Sequence, residues 1–508
     1  MSATILSATT FGVDGRLVTV EADTQFGLPK FFVVGLPDVA VQEARERVRS
    51  AIRAAGFFFP RGRVTVNLAP ADIKKAGPGF DLPIALALLV QTEQLSADHC
   101  DGLVFTGELG LDGSLRLVRG TLPMARAARN TSSRSLVVPV TNGQEAALVE
   151  GLTVLAPGSL AELIQHLVGV KRLTSVIAAP PPQDRQNDTD FALIRGQQQA
   201  KRAMEIAAAG GHNLLLIGPP GSGKTLLARS MPSILPELSY PEALDVTAIH
   251  SVGGVLPADT PLQLRRPFRT PHHTTSTVAL VGGGTLPRPG EVSLAHYGVL
   301  YLDELPEFPR QALEALRQPL EDGVVTVARA AQSVQFPAQF MLVASQNPCP
   351  CGFRNDPKRP CVCSPAQLLR YERRVSGPLL DRIDLHIQVP RQDFATLRLD
   401  GKASESSPTI RQRVVRARAV QTKRFKKTQG RTNAHMFQSM LTKHCQVDAA
   451  SYALLQQAVD QLYLSARGYV RVLKVSRTIA DLAGSEKIEL AHVAEALQYR
   501  SPAGLSSL

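Results

Sequence analysis

No apolar run in this chain is long enough to cross a bilayer. Met1 to Thr10 has neither a basic start nor a long apolar core, so no secretion signal is expected there. A membrane role is thereby set aside, and the cytoplasm is the expected compartment. There is no fixed-period repeat and no heptad tract, which excludes a solenoid and a coiled coil. Acid is the scarcer charge. The 44 Asp and Glu against 56 Lys and Arg leave a net +12, which points to polyanionic partners. The scarcity is sharpest from Gly401 to Arg431, where Glu405 is the one acid among ten basic residues. Two readings of that window stay open: a solvated helix and loop, or a surface for phosphate backbone.

Cysteine is also sparse, with six in 508 residues, yet four of them crowd into fifteen positions. Cys349 and Cys351 form one C-x-C pair, Cys361 and Cys363 the other. In a reducing compartment a tight cluster favours metal over disulfide. Two close pairs on a short loop can give four thiolates to a tetrahedral Zn²⁺. The spacing is tighter than the commoner C-x-x-C, and reduced thiols on a loop are the alternative. The segment also holds Pro348, Pro350, Pro357, Pro360 and Gly352. It is irregular, so a bound Zn²⁺ would account for its order.

A chain of this length predicts two or three domains. Residues 1–175 mix strand and helix patterns as in a compact α/β domain. Strands are expected at Ala3 to Phe11, Arg16 to Ala22, Lys30 to Val34, Arg63 to Leu68, Leu103 to Thr106 and Ser135 to Val138. Helices are expected at Val39 to Ala55, at Asp81 to Val90 and from Leu122, and a turn at Asp112-Gly113. A proline-rich, then polar, linker occupies residues 176–190. A core follows over 191–390, with the four-cysteine insertion at 349–363. Residues 391–508 have the apolar spacing of a small helical bundle, notably Ala450 to Leu464 and Val470 to Leu482.

The core carries the chemistry. Asn213-Leu-Leu-Leu-Ile217 is an apolar run, and Leu226-Leu-Ala-Arg-Ser230 is helix-like. Between them stands Gly218-Pro219-Pro220-Gly221-Ser222-Gly223-Lys224-Thr225, the full spacing of a P-loop. Glycines let backbone N–H groups wrap phosphate, and the helix start adds a favourable dipole. Lys224 would reach the β- and γ-phosphates of ATP, and Thr225 would offer a hydroxyl to Mg²⁺. The nucleotide contact is expected from Gly218 through Leu226. Downstream, Gly298-Val-Leu-Tyr-Leu-Asp-Glu304 is an apolar strand ending in two carboxylates, a Walker B pattern. Asp303 would hold the Mg²⁺ shell and Glu304 would polarise the attacking water. The two motifs together predict a Mg²⁺-dependent nucleoside triphosphatase.

The chain resembles magnesium-chelatase-type AAA+ ATPases of the ComM/YifB group over essentially its whole length. The residues that carry the resemblance include Pro267-Phe-Arg-Thr-Pro-His-His-Thr274, Gly282-Gly-Gly284 with Pro289-Gly-Glu291, and Leu294 to Phe308. They continue with Asn347-Pro-Cys-Pro-Cys-Gly352, Ser376-Gly-Pro-Leu-Leu-Asp-Arg-Ile-Asp384 and Arg477-Thr-Ile-Ala-Asp-Leu-Ala-Gly484. The fold this implies is α/β and multidomain: a Lon-protease-like amino-terminal domain, a P-loop AAA+ core and a carboxyl-terminal helical lid. The resemblance also implies roles. Asn347 would be sensor 1, orienting the lytic water. Arg382 would be an arginine finger acting on a neighbour's γ-phosphate, with Arg374 and Arg471 as its nearest rivals. Arg467 would be sensor 2 on the lid. A finger supplied in trans requires a homo-oligomeric ring, usually a hexamer, with substrate in its pore. An insertion at about Arg265 to Glu291 and a hairpin at about Asp322 to Pro337 would face that pore, making Arg269, His272, His273, Arg288 and Arg329 candidate DNA contacts. His272, His273 and His296 could hint at a second metal, but loop hydrogen bonding is the preferred reading.

Lys75-Ala-Gly-Pro-Gly-Phe-Asp81 resembles the Lon nucleophile loop, with Gly79 where Lon has serine. The position of Lon's lysine falls near Leu122. Without hydroxyl and amine no nucleophile is activated, so an inactive protease fold is expected. The group's implied function is ATP-driven branch migration on single-stranded, duplex or branched DNA during natural transformation, with recombination proteins as candidate partners. The competing functions are a chelatase motor inserting Mg²⁺ into a porphyrin, an ATP-dependent protease, and a nucleotide-switched scaffold.

Overall fold

The structure is a computed structural model that describes residues 3–132, 134–179, 189–257, 260–284, 287–328, 333–392, 405–425, 432–462 and 464–500. Most of the expected linker, including 180–188, lies outside the described residues. The amino-terminal region is built on a seven-stranded mixed sheet. Its order is Lys30–Val34, Arg63–Ala69, Asp14–Gln25, Ala3–Phe11, Leu103–Phe105, Ser135–Val137, Thr153–Leu155. Period-two alternation sets its inner face: Val18, Val20 and Ala22 on one strand, Val64, Val66 and Leu68 on the next. The helix Asp81–Gln91 is apolar nearly all round and is buried against that face. The stretch expected as one helix from Val39 to Ala55 is two, Val39–Gln42 and Ala44–Ala54, with Glu43 between. Asp38 caps the first by accepting from the Val41 N–H at 2.9 Å. Gly113 does make the turn between Glu108–Leu109 and Leu115–Arg116.

The core sheet has five parallel strands in the order Phe268–Arg269, Val299–Leu302, Met341–Gln346, Leu214–Ile217, Leu385–Gln388. The strands Leu214–Ile217 and Val299–Leu302 are buried throughout, as a parallel sheet covered on both faces requires. Register does the positioning. Ile217 stands beside Gln346, and Leu302 beside Ala344. The P-loop, the Walker B carboxylates and Asn347 therefore leave the sheet at one edge. The amino-terminal region packs on the core through the helix Tyr240–Gly253, whose Ala243 and Val246 share a cluster with Leu122 and Ala125.

The carboxyl-terminal helices include Ser407–Phe425, Ala449–Leu462, Ala466–Ala483 and Leu490–Gln498. They share one hydrophobic cluster with the core rather than standing apart. Ser465 accepts from the Gly468 N–H at 3.1 Å, and this cap starts the helix at Ala466, before the expected Val470. At the joint, Asn213 N–H donates to Asp384 Oδ2 at 3.0 Å, and Arg471 is ion-paired to the same carboxylate. Burial alone would push the Asp384 carboxyl up. Arg471 and His212 outweigh burial and hold it far below the usual carboxylate range.

A depressed folded-state pKa contributes stability above the unfolded value of about 3.9, and that stability is lost as pH falls below it. Asp384→Asn should therefore flatten the loss of stability below about pH 4 by up to ~1.4 kcal/mol per pH unit relative to wild type. Urea midpoints at a series of pH values check this; parallel curves for the two proteins would refute the ion-pair account.

Candidate nucleotide site

Gly223 has φ +92° and immediately precedes the helix Lys224–Ile234. That left-handed step is open to glycine at no cost, and it turns the free N–H groups of the first helical turn toward the loop. Lys224 Nζ donates to Gly218 O at 2.7 Å, Pro219 O at 3.0 Å and Asn347 Oδ1 at 3.2 Å. Burial lowers its pKa, while Asp303 and Glu304 nearby favour its charge. Ser222 is buried with no partner for its hydroxyl among the described residues, and Leu226 is exposed at the helix start. Pro220 and Gly221 complete the loop; Gly221 also has positive φ.

Thr225 Oγ1 donates to Asp303 Oδ2 at 3.0 Å, and Ser345 donates to Asp303 Oδ1. Tyr301 in turn donates to Ser345 Oγ at 3.1 Å. Burial would raise the Asp303 pKa, but the hydrogen bonds from Ser345, Thr225 and Tyr301 prevail and keep it an anion. A hydroxyl and a carboxylate at that separation fit a hard oxygen-ligated cation such as Mg²⁺. When bound there, Mg²⁺ would neutralise charge on the transferring phosphate. Sequence reasoning missed Ser345 and Tyr301. Only the strand register, which carries on from Leu302 beside Ala344, puts Ser345 opposite Asp303. Glu304 has φ +52°, a strained conformation for a non-glycine residue. Its half-exposed carboxylate lies 3.7 Å from His273 Nδ1.

Arg382 and Arg467 lie elsewhere. Asn213 Nδ2 donates to Arg382 O at 2.9 Å, and Asn213 precedes the P-loop strand. Arg382 is thus at the opposite edge of the sheet from the P-loop, four strand residues or about 13 Å away. Glu321 binds both arginines: it is ion-paired to Arg382 and its Oε1 is 3.4 Å from Arg467. Arg382 is only 7% exposed and Arg467 56%. With Lys474 they line a cavity of about 910 Å³ that opens to solvent. Arg471 is already engaged by Asp384 and by Arg382 O at 3.0 Å. Arg374 pairs with Glu307 at 2.6 Å, beside the Walker B turn. Glu321 is a third residue that the motifs did not announce.

The other candidates scatter. Arg269 is held by Glu291 through two bonds of 2.7 and 2.8 Å, which neutralises its charge. His272 is exposed, its ring 4.1 Å from that of His273, and Arg288 is exposed. Arg329 lies outside the described residues. His296 is buried far from a ligand's role: it accepts from Gln339 N–H at 3.0 Å, and burial pushes its pKa down to about 3. In the basic window, the phosphate-surface reading fails for four residues. Arg413 pairs with Glu405 and Glu205, Arg424 with Asp481, and Arg411 and Arg418 donate to backbone carbonyls. Arg416 and Lys423 remain exposed.

The four cysteines do converge. Cys349 Sγ is 3.3 Å from Cys351 Sγ and 3.7 Å from Cys361 Sγ, and all four sulfurs lie within 4.8 Å of one another. Zn–S bonds of about 2.3 Å give a tetrahedron with edges of about 3.8 Å, so the set fits Zn²⁺. Backbone N–H groups of Cys351 and Arg354 point at Cys363 and Cys349 sulfur at 3.4 and 3.3 Å, an arrangement that would suit metal-bound thiolates. Among the described residues, this is the one group of three or more Cys, His, Asp or Glu close enough to share a metal.

Comparison with known proteins agrees with this geometry. Residues 190–397 match the family described as Magnesium chelatase, subunit ChlI. Residues 20–142 match Subunit ChlI of Mg-chelatase, and 404–500 match Magnesium chelatase, subunit ChlI C-terminal. Competence protein ComM of Haemophilus influenzae is 44% identical over 507 residues, 98% of this chain and 97% of that protein. YifB of Escherichia coli is 44% identical over 495 residues, 96% and 95% of the two chains. The Magnesium-chelatase 67 kDa subunit of Chlorobaculum parvum is 31% identical over 166 residues, 31% of this chain and 23% of that one. With near-complete coverage at such identity, the chain belongs to the ComM/YifB family of magnesium chelatase-like proteins.

Proposed function

We propose that the protein is an ATP-hydrolysing, ring-forming motor on DNA, and that it drives branch migration during natural transformation. One observation carries the ring. The phosphate cradle stands at one end of the P-loop strand and the Arg382 backbone at the other, with Arg467 meeting Arg382 on Glu321, so both arginines are set away from their own P-loop. In a closed ring the arginine edge of one protomer meets the cradle of the next. Lys224 then binds the β- and γ-phosphates, Asn347 and Glu304 hold the attacking water, and the water's proton passes to Glu304 Oε. Arg382 and Arg467 of the adjoining protomer neutralise charge that builds on the transferring phosphoryl oxygens. On this reading sensor 2 acts in trans, beside the finger, rather than over its own nucleotide.

Support for DNA comes from the relative named for competence and from the net +12 of the chain. His272 and Arg288 on the insertion are the pore contacts this reading keeps, with Arg269 serving to brace the insertion. A hexamer is the expected ring. The amino-terminal domain is read as a Lon-like fold without peptidase chemistry, since Gly79 has no side chain to attack with and the Thr106 hydroxyl beside it is buried and donated to Gly79 O at 3.3 Å. The helices after 391 are read as the lid.

Lys224→Ala should abolish ATP turnover, and Glu304→Gln should bind ATP and assemble while turning over at least about 10²-fold more slowly. Arg382→Ala should lower kcat by about 10³-fold or more with little change in nucleotide affinity. Mixing Lys224→Ala with Arg382→Ala subunits should restore part of the activity, because some interfaces then pair an intact cradle with an intact finger. No recovery on mixing would sink the shared site. ATPase and four-way-junction assays over a salt series test the DNA reading. Turnover should rise with DNA, and binding should weaken steeply with salt; indifference to DNA would favour a chelatase motor or a scaffold.

A further inference from the structure

We propose that the four-cysteine knuckle is a working part of the nucleotide site: zinc bound there fixes the P-loop and Asn347, so metal occupancy governs nucleotide affinity. The inference rests on the ATPase reading above. Within 348–364 only Cys349 and Gly352 are buried. A segment with so little apolar burial has no core of its own, and the convergent sulfurs are what can hold its shape.

That shape is transmitted by four contacts. Gly352, at φ +85°, packs on the P-loop so closely that a Cβ there would lie 2.6 Å from Pro220 Cδ. Asn347 stands two residues before the first cysteine and accepts from Lys224 Nζ at 3.2 Å. Tyr371, on the helix Pro365–Glu372 that follows the last cysteine, donates to Asn347 O at 3.2 Å. Arg354 in the knuckle pairs with Glu372 on that helix at 2.6 Å, closing the loop. Both ends of the cysteine segment thus grip Asn347, and its middle presses on Pro220. Loss of the metal would free all of these at once.

The test uses the full-length chain. Zinc is quantified per chain, stripped with a chelator under reducing conditions, and the chelator removed. Binding of a fluorescent, non-hydrolysable ATP analogue with Mg²⁺ is then measured, before and after zinc is returned. One zinc per chain is expected, with affinity falling by about tenfold or more on stripping and recovering on reloading. Gly352→Ala separates contact from folding: it should keep its zinc, measured directly, and still bind the analogue about tenfold more weakly. Absence of zinc from the wild-type protein overturns the proposal. So does equal affinity of the stripped and loaded forms, or a zinc-loaded Gly352→Ala that binds like wild type; either leaves the ATPase reading standing. Wild-type protein that holds zinc but binds no nucleotide overturns both.

Discussion

Three parallel strands that end together are the constraint on which the site depends. Lys224, Asp303 and Asn347 are separated by up to 123 residues, yet Lys224 touches Asn347 and Thr225 touches Asp303. The pairing of Ile217 with Gln346 and of Leu302 with Ala344 brings this about. A one-residue slip would turn each buried strand side chain to the other face of the sheet. Such a slip would carry Ser345 away from Asp303 and leave a half-buried carboxylate with one donor fewer. The apolar strands and the polar site therefore specify the same register.

The same strands have a second end. Asn213 starts the P-loop strand and bonds Arg382 and Asp384, which lead into the last strand. Arg471 of the carboxyl-terminal helices closes on Asp384 there. The P-loop strand is thus tied at one end to the phosphate cradle and at the other to the arginine edge and the helical region. A shift at either end has a short, stiff route to the other, because interiors are close-packed and transmit strain. On the proposed reading, in which neighbouring protomers share a nucleotide, that connection would let one end report on the other.

Much of this was legible in the sequence because it is local. The P-loop, the Walker B strand and the cysteine pairs are contiguous motifs whose spacing implies their chemistry, and the structure brings each set together. Strand ends drifted by a few residues, and one expected helix divided at Glu43. What the sequence withheld was relational. Ser345 and Tyr301 read as ordinary strand residues until strand order sets them beside Asp303. Glu321 reads as one more surface acid until two distant arginines meet on it. Counting charge from Gly401 to Arg431 could not show which residues are paired for the same reason: partners such as Glu205 and Asp481 lie far away in the chain.

Glu321 also explains how the Arg382 side chain can be so nearly buried. An unpaired guanidinium at the low exposure of Arg382 would be costly, and the carboxylate offsets much of that cost. Two guanidiniums share this one acid, while Asp322 and Asp384 line the same cavity with Arg471 and Lys474, so the charges around the pair are close to balanced. On the proposed reading, an arriving phosphate exchanges one anionic partner for another instead of desolvating a bare cation. The half-exposed Glu321 side chain can then turn to water while the arginines stay where they are. On that same reading Glu321 holds both guanidiniums in place before a neighbour docks, and preorganised charge is what phosphoryl transfer most needs from a protein.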